Sequence, residues 1–114
     1  MDKIWEIEES FWLKGRSHYE RHLHAHCQFA FPEPTGLLKG NSSIANLDEG
    51  SPWTSVKLHE RTESQPAQNV FVLSYRGVGT KTDGSPYSAY CTTTYVIESG
   101  VPMLVQHQQT PTGD

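Results

Sequence analysis

The rhythm of hydrophobic and polar positions changes along this chain. In the first dozen residues, apolar side chains fall at Ile4, Trp5, Ile7, Phe11 and Trp12, the three-and-four spacing of one helical face. Asp2 stands where an N-cap belongs and Gly15 where a helix ends, so a helix is predicted over residues 2–14. Ser17-His18-Tyr19-Glu20 is a capping-box pattern and predicts a shorter second helix running to about Leu23. Gln28-Phe29-Ala30-Phe31 reads as a strand stopped by Pro32 and Pro34, with residues 36–39 as its short return. A third helix is predicted from Asn41 or Ser42, carrying Ile44, Ala45 and Leu47 and ending near Gly50-Ser51-Pro52.

From Trp53 the period becomes two. Strands are predicted over residues 53–62, 70–80, 88–97 and 103–109. A polar turn over 64–69 separates the first two. Thr82-Asp83-Gly84-Ser85 is a strong hairpin turn, because Asp-Gly readily takes the positive φ that tight hairpins need. Glu98-Ser99-Gly100 makes the next turn. The order is α-α-β-β-α-β-β-β-β, an α+β fold in which helices cover one face of a sheet of antiparallel strands. Residues 1–109 are expected to form one domain, and 110–114 a short polar tail. Several strands are apolar on both faces: Val70, Val72 and Val78 against Phe71, Leu73 and Tyr75. Helices can cover only one face, so a homodimer is expected.

Composition narrows the function classes. At 114 residues with 35% hydrophobic and 19% charged, the chain can bury a core without disulfides or metal. Its net charge is -4 and its nine basic residues are scattered, so no nucleic-acid partner is predicted. No apolar run is long enough to span a membrane, and Met1-Asp2-Lys3-Ile4-Trp5-Glu6 lacks a signal peptide's apolar run. A cytoplasmic location is the expectation. Cys27 and Cys91 sit in apolar surroundings and read as buried reduced thiols without an activating base.

Candidate chemistry is sparse. Glu8 lies on the apolar face of the first helix with Ile4, Phe11 and Trp12. It either ties the helix to a neighbour or faces a cavity, where desolvation would suit it to proton transfer. His107 lies in the last strand, on the side of Met103, Val105 and Gln109 by period two. It reads as a core histidine or as the acid/base partner of Glu8. Trp12, Phe29, Phe31, Trp53, Tyr75 and Tyr90 are the candidate ligand-binding aromatics, all equally suited to core packing. The histidines from His18 to His26 form the remaining cluster. His18 and His22 share a helix face at chelating spacing, but no four-ligand set is complete, so no bound metal is predicted. No cofactor motif is present.

With a Phe11-Trp12 pair closing the first helix, Tyr19-Glu20-Arg21-His22-Leu23 as a short second helix and a terminal His107-Gln108-Gln109-Thr110-Pro111, the chain resembles the nuclear transport factor 2-like superfamily. Within it, the small bacterial SnoaL-like proteins are the most similar. The resemblance implies a cone-shaped, strongly bent antiparallel sheet wrapped around three helices of the N-terminal half, and dimerisation through the outer face of the sheet. It implies a pocket for a small organic molecule, used by some members for cofactor-independent isomerisation, dehydration or cyclisation and by others for binding alone. One departure matters. Where relatives carry acidic residues before the first strand, this chain has Leu23-His24-Ala25-His26-Cys27, so an aspartate base cannot be placed there. The expectation is a small-molecule-binding protein. A non-catalytic binding or dimerisation module is the alternative, and a metal-binding protein built on the histidine cluster comes third.

Overall fold

The computed structural model describes residues 2–14, 20–40 and 53–112. Within them the chain forms one helix, α1 (Asp2–Leu13), and six strands: β1 (Leu23–Ala30), β2 (Leu37–Lys39), β3 (Trp53–Ala67), β4 (Val70–Lys81), β5 (Pro86–Glu98) and β6 (Val101–Pro111). The strands lie side by side in the order β2-β1-β6-β5-β4-β3. The expected third helix and the start of the second fall outside the described residues. Residues 20–22 are a turn and Leu23 already belongs to β1, so the helix expected to run to about Leu23 is not found over 20–23. A short helix without an apolar stripe has little to bury, whereas Leu23, Cys27 and Phe29 bury themselves from a strand.

The sheet is mixed rather than antiparallel. Strands β3 to β6 follow one another through short turns and are necessarily antiparallel. Strand β1 reaches the sheet by a longer connection and adds parallel to β6. The expected polar turn over 64–69 shrinks to Gln68 and Asn69, because β3 continues to Ala67. Pro66 is tolerated there because β3 is an edge strand, and its missing N–H falls where the register with β4 shifts. Strand β6 likewise takes in Thr110 and Pro111, which the sequence reading assigned to a tail.

Two irregularities aim the side chains. In β3 the register slips between His59 and Thr62, where Glu60 adopts φ 56°. In β6 it slips by one residue: Gln106 stands opposite Thr94, but Leu104 stands opposite Tyr95. Val105 is the extra residue of this bulge, and it reverses the facing of everything after it. Leu104 and His107 are therefore both buried on the inner face, while Met103 is half-buried and pairs with Val96. The period-two expectation that grouped Met103 and Val105 with His107 fails for this reason.

Helix α1 lays Ile4, Trp5, Ile7, Glu8 and Trp12 onto the inner face, against Phe71, Leu73 and Tyr75 of β4 and Cys91, Thr93 and Tyr95 of β5. Trp5 meets Tyr75 edge-on with ring centroids 5.8 Å apart, and the Arg61 guanidinium covers its other side at 5.0 Å. Each buried aliphatic or aromatic side chain contributes about 1.5–3 kcal/mol, so this face supplies much of the stability.

Candidate functional site

Where α1 crosses β4, β5 and β6, four elements bring polar side chains together inside the core. Glu8 is 1% exposed, and three hydroxyls donate to its carboxylate. Tyr95 reaches Oε1 at 2.6 Å and Thr93 reaches Oε2 at 2.6 Å. The Tyr75 hydroxyl also donates to Oε2, and itself accepts from Trp12 Nε1 at 3.1 Å. A group that receives three donors and offers none is the ionised carboxylate.

His107 continues the chain of contacts. Its Nδ1 is 2.7 Å from Thr93 Oγ1 and 3.5 Å from Glu8 Oε2. Thr93 has one proton and gives it to Glu8, so Nδ1 must donate to Thr93. On the other side of the ring, Nε2 is 2.9 Å from Gln109 Oε1, and Gln109 Nε2 donates to the Tyr87 hydroxyl at 3.2 Å. Nδ1 therefore carries a ring proton, and the histidine is tied to the buried carboxylate through Thr93 on one side and to the Gln109 amide on the other. The polar chain thus runs from Trp12 through Tyr75, Glu8, Thr93, His107 and Gln109 to Tyr87.

The electrostatics follow from burial and from Glu8. Burial first, and then the neighbouring Glu8 carboxylate, holds the Tyr75 and Tyr95 phenols well above their usual value of 10.0. The same two causes push the Cys91 thiol up to about 12, and burial raises Cys27. None of these groups is a base or nucleophile at neutral pH; the tyrosines are proton donors to Glu8. This has a consequence for stability. A folded-state pKa raised above the unfolded one stabilises below the unfolded value and is lost as pH rises past it. Between about pH 10 and the folded-state pKa values, stability should therefore fall by up to about 1.4 kcal/mol per pH unit for each tyrosine. Melting curves between pH 8 and 11.5, with tyrosinate absorbance followed in parallel, check this. Tyr75 and Tyr95 should ionise only as the protein unfolds.

The residues singled out in the sequence divide between two faces. Glu8, Trp12, Tyr75 and His107 belong to one connected network. Phe29 and Phe31 stack on each other at 5.4 Å and lie 6.4 and 5.8 Å from the His107 ring. Trp53 packs on Trp12 at 5.0 Å and on Tyr87 at 4.8 Å. Tyr90 does not join them. It pairs across from Arg76 on the outer face and is 56% exposed. There it borders a depression of about 210 Å³ shared with Glu60, Ser74, Arg76, Thr92 and Gln108, in which Arg76 Nε donates to Glu60 at 2.7 Å.

The sequence does not by itself place Thr93, Tyr95, Gln109 or Tyr87 in one site with Glu8 and His107. The Asp83-Gly84 hairpin carries the signal that would have found the first two. It sets Thr80 opposite Pro86, and stepping away from it brings Tyr75 opposite Cys91, Leu73 opposite Thr93 and Phe71 opposite Tyr95.

The histidine cluster lies apart from this site. His18 is outside the described residues. His22 Nδ1 lies 3.1 Å from the Pro102 carbonyl, and His24 Nε2 lies 3.3 Å from Glu98. His24 Nδ1 accepts the His26 backbone N–H at 3.0 Å, which leaves its ring proton on the nitrogen facing Glu98. Among the described residues no three His, Cys, Asp or Glu side chains are grouped to hold a metal ion. No helix among them is long and apolar enough to cross a membrane.

No family model matches the sequence, and no curated protein matches it. Solved structures do. A candidate ketosteroid isomerase from Parabacteroides distasonis is similar at a TM-score of 0.78 and 14% identity, over 95% of this chain and 84% of that one. An NTF2-like protein from Cytophaga hutchinsonii gives a TM-score of 0.77 at 14% identity, over 96% of each chain. The association domain of CaMKII from C. elegans gives 0.72 at 10% identity, over 96% of this chain and 90% of that one. The chain has the nuclear transport factor 2-like fold. At these identities the likeness speaks for the fold, not for an activity.

Proposed function

We propose that this chain binds a small, largely apolar organic molecule on the inner face of its sheet, against Phe31, Trp53 and Tyr87, with His107 as the nearest ionisable group of the buried network. The observation that carries the reading is the polar chain from Glu8 to Tyr87. A buried carboxylate and imidazole are costly to desolvate and are weak evidence for stability on their own, whereas this chain ends among half-buried aromatic rings. Glu8 is the anchor. Its oxygens are engaged by three hydroxyls, so it positions His107 through Thr93 rather than touching a ligand. Isomerisation, dehydration or cyclisation of the bound molecule would need Gln109 to turn aside, so that His107 Nε2 can exchange a proton with the ligand.

The test is an NMR titration with mono- and bicyclic aromatic compounds. The reading expects shift changes at Phe31, Trp53, Tyr87 and His107. Changes confined to the outer face, or none, contradict it.

A second reading, as a dimerisation module, rests on the outer face and is compatible with the first. Val70, Val72, Val78, Val96 and Met103 are half-buried there and Tyr90 is exposed, with no element among the described residues laid across them. Similarity to an association domain supports this reading. Light scattering at tens of micromolar should give the mass of a homodimer, and Val72→Lys should give a folded monomer. A monomeric wild type rules it out.

A further inference from the structure

Two hydrogen-bond donors at the end of the polar chain are unspent. The Lys81 ammonium lies 5.9 Å from the Trp53 ring centroid and 5.6 Å from that of Tyr87. It lies at ion-pairing distance from no carboxylate among the described residues; the nearby Asp83 carboxylate feels its charge but is held chiefly by the Ser85 N–H at 2.9 Å and the Ser85 hydroxyl at 2.6 Å. The Tyr87 hydroxyl accepts from Gln109, but its own proton meets no acceptor among the described residues. Burial raises the Tyr87 phenol above 10.0, which keeps that proton in place.

Two flat aromatic faces therefore stand beside an ammonium and a phenolic O–H. The one carboxylate of the network, Glu8, is 1% exposed and already occupied. Resting on the proposed binding at this face, we propose that the ligand is a planar aromatic or conjugated carboxylate. Its ring stacks on Trp53 and Tyr87, and its carboxylate accepts from Lys81 Nζ and the Tyr87 hydroxyl. An ammonium held over rings, with no carboxylate at ion-pairing distance among the described residues, gains a charge-assisted hydrogen bond from such a ligand.

The test compares naphthalene-2-carboxylate with its neutral alcohol, 2-naphthalenemethanol, by amide NMR titration of wild type and Lys81→Met. Lys81 is exposed, so the variant should keep its fold, which the amide spectrum verifies. The carboxylate should bind about tenfold more tightly than the alcohol, as hydrogen bonds to a charged group allow. In Lys81→Met that preference should disappear, the two compounds then binding equally. Equal affinities in wild type, or a preference that survives Lys81→Met, overturn the carboxylate assignment and leave the binding site standing. If neither compound perturbs the inner face, both fall together.

Discussion

Glu8→Ala should cost about 3–5 kcal/mol and lower the melting temperature by roughly 15 °C or more, because it strips the charge that organises the core. Tyr75, Thr93 and Tyr95 each lose the acceptor of a buried hydroxyl, at about 1–3 kcal/mol for a group left unpaired, and His107 loses the carboxylate beyond Thr93. Domains of this size are stable by only about 5–15 kcal/mol, so the loss is a large fraction of the whole. Glu8→Gln keeps the volume but turns an amide N–H₂ toward hydroxyl donors, and should fall between wild type and Glu8→Ala. Urea denaturation of the variants measures this. Coupling is the sharper signature: Tyr95→Phe should be costly in wild type and nearly neutral in Glu8→Ala, since the bond it removes is already gone. Additive costs would show that Tyr95 and Glu8 are not partners.

The second large effect is steric. Gly77 lies in β4 where Trp12 crosses the strand, and a Cβ there would stand 2.8 Å from Trp12 Cζ2 and 3.2 Å from Cη2. Trp12 cannot swing aside freely. It is 4% exposed, donates to Tyr75, and packs on Trp53 and Tyr87. Gly77→Ala should therefore cost about 1–3 kcal/mol by overpacking, and Gly77→Val more, with a red shift of the tryptophan emission as Trp12 is displaced. In a Trp12→Phe background, which shortens the ring, Gly77→Ala should be milder. An equal cost in both backgrounds would place the strain elsewhere.

Much of the fold was legible because local rules and burial agree. The α1 stripe, the strands from Trp53 onward and the Asp83-Gly84 turn follow from period and turn chemistry. Glu8 was legible as a carboxylate on an apolar face, since helical spacing leaves little choice about where it points. What failed depended on distant pairing. The parallel addition of β1 to β6 has no local signature. The Val105 bulge breaks the alternation without a glycine or proline to announce it, so the residues sharing a side with His107 were misread. Tyr90 was grouped with the pocket for want of a register. Counted from the hairpin, it stands opposite Arg76, and Arg76 alternates with Tyr75, so it belongs to the outer face. Lys81 escaped notice because an exposed lysine gains meaning only from the two rings beneath it.

In the proposed site Glu8 and His107 act as one unit through Thr93. The most direct measurement is the ring ¹⁵N–¹H spectrum of His107 in wild type, Thr93→Val and Glu8→Gln, with folding checked by the amide spectrum. Thr93→Val keeps the shape of the side chain and removes only the bridging hydroxyl. The prediction is a protonated, hydrogen-bonded Nδ1 in wild type, with a changed protonation pattern in both variants. Ring spectra that superimpose on wild type in both folded variants would contradict it, leaving Glu8 as a tie between helix and sheet with no hold on the histidine.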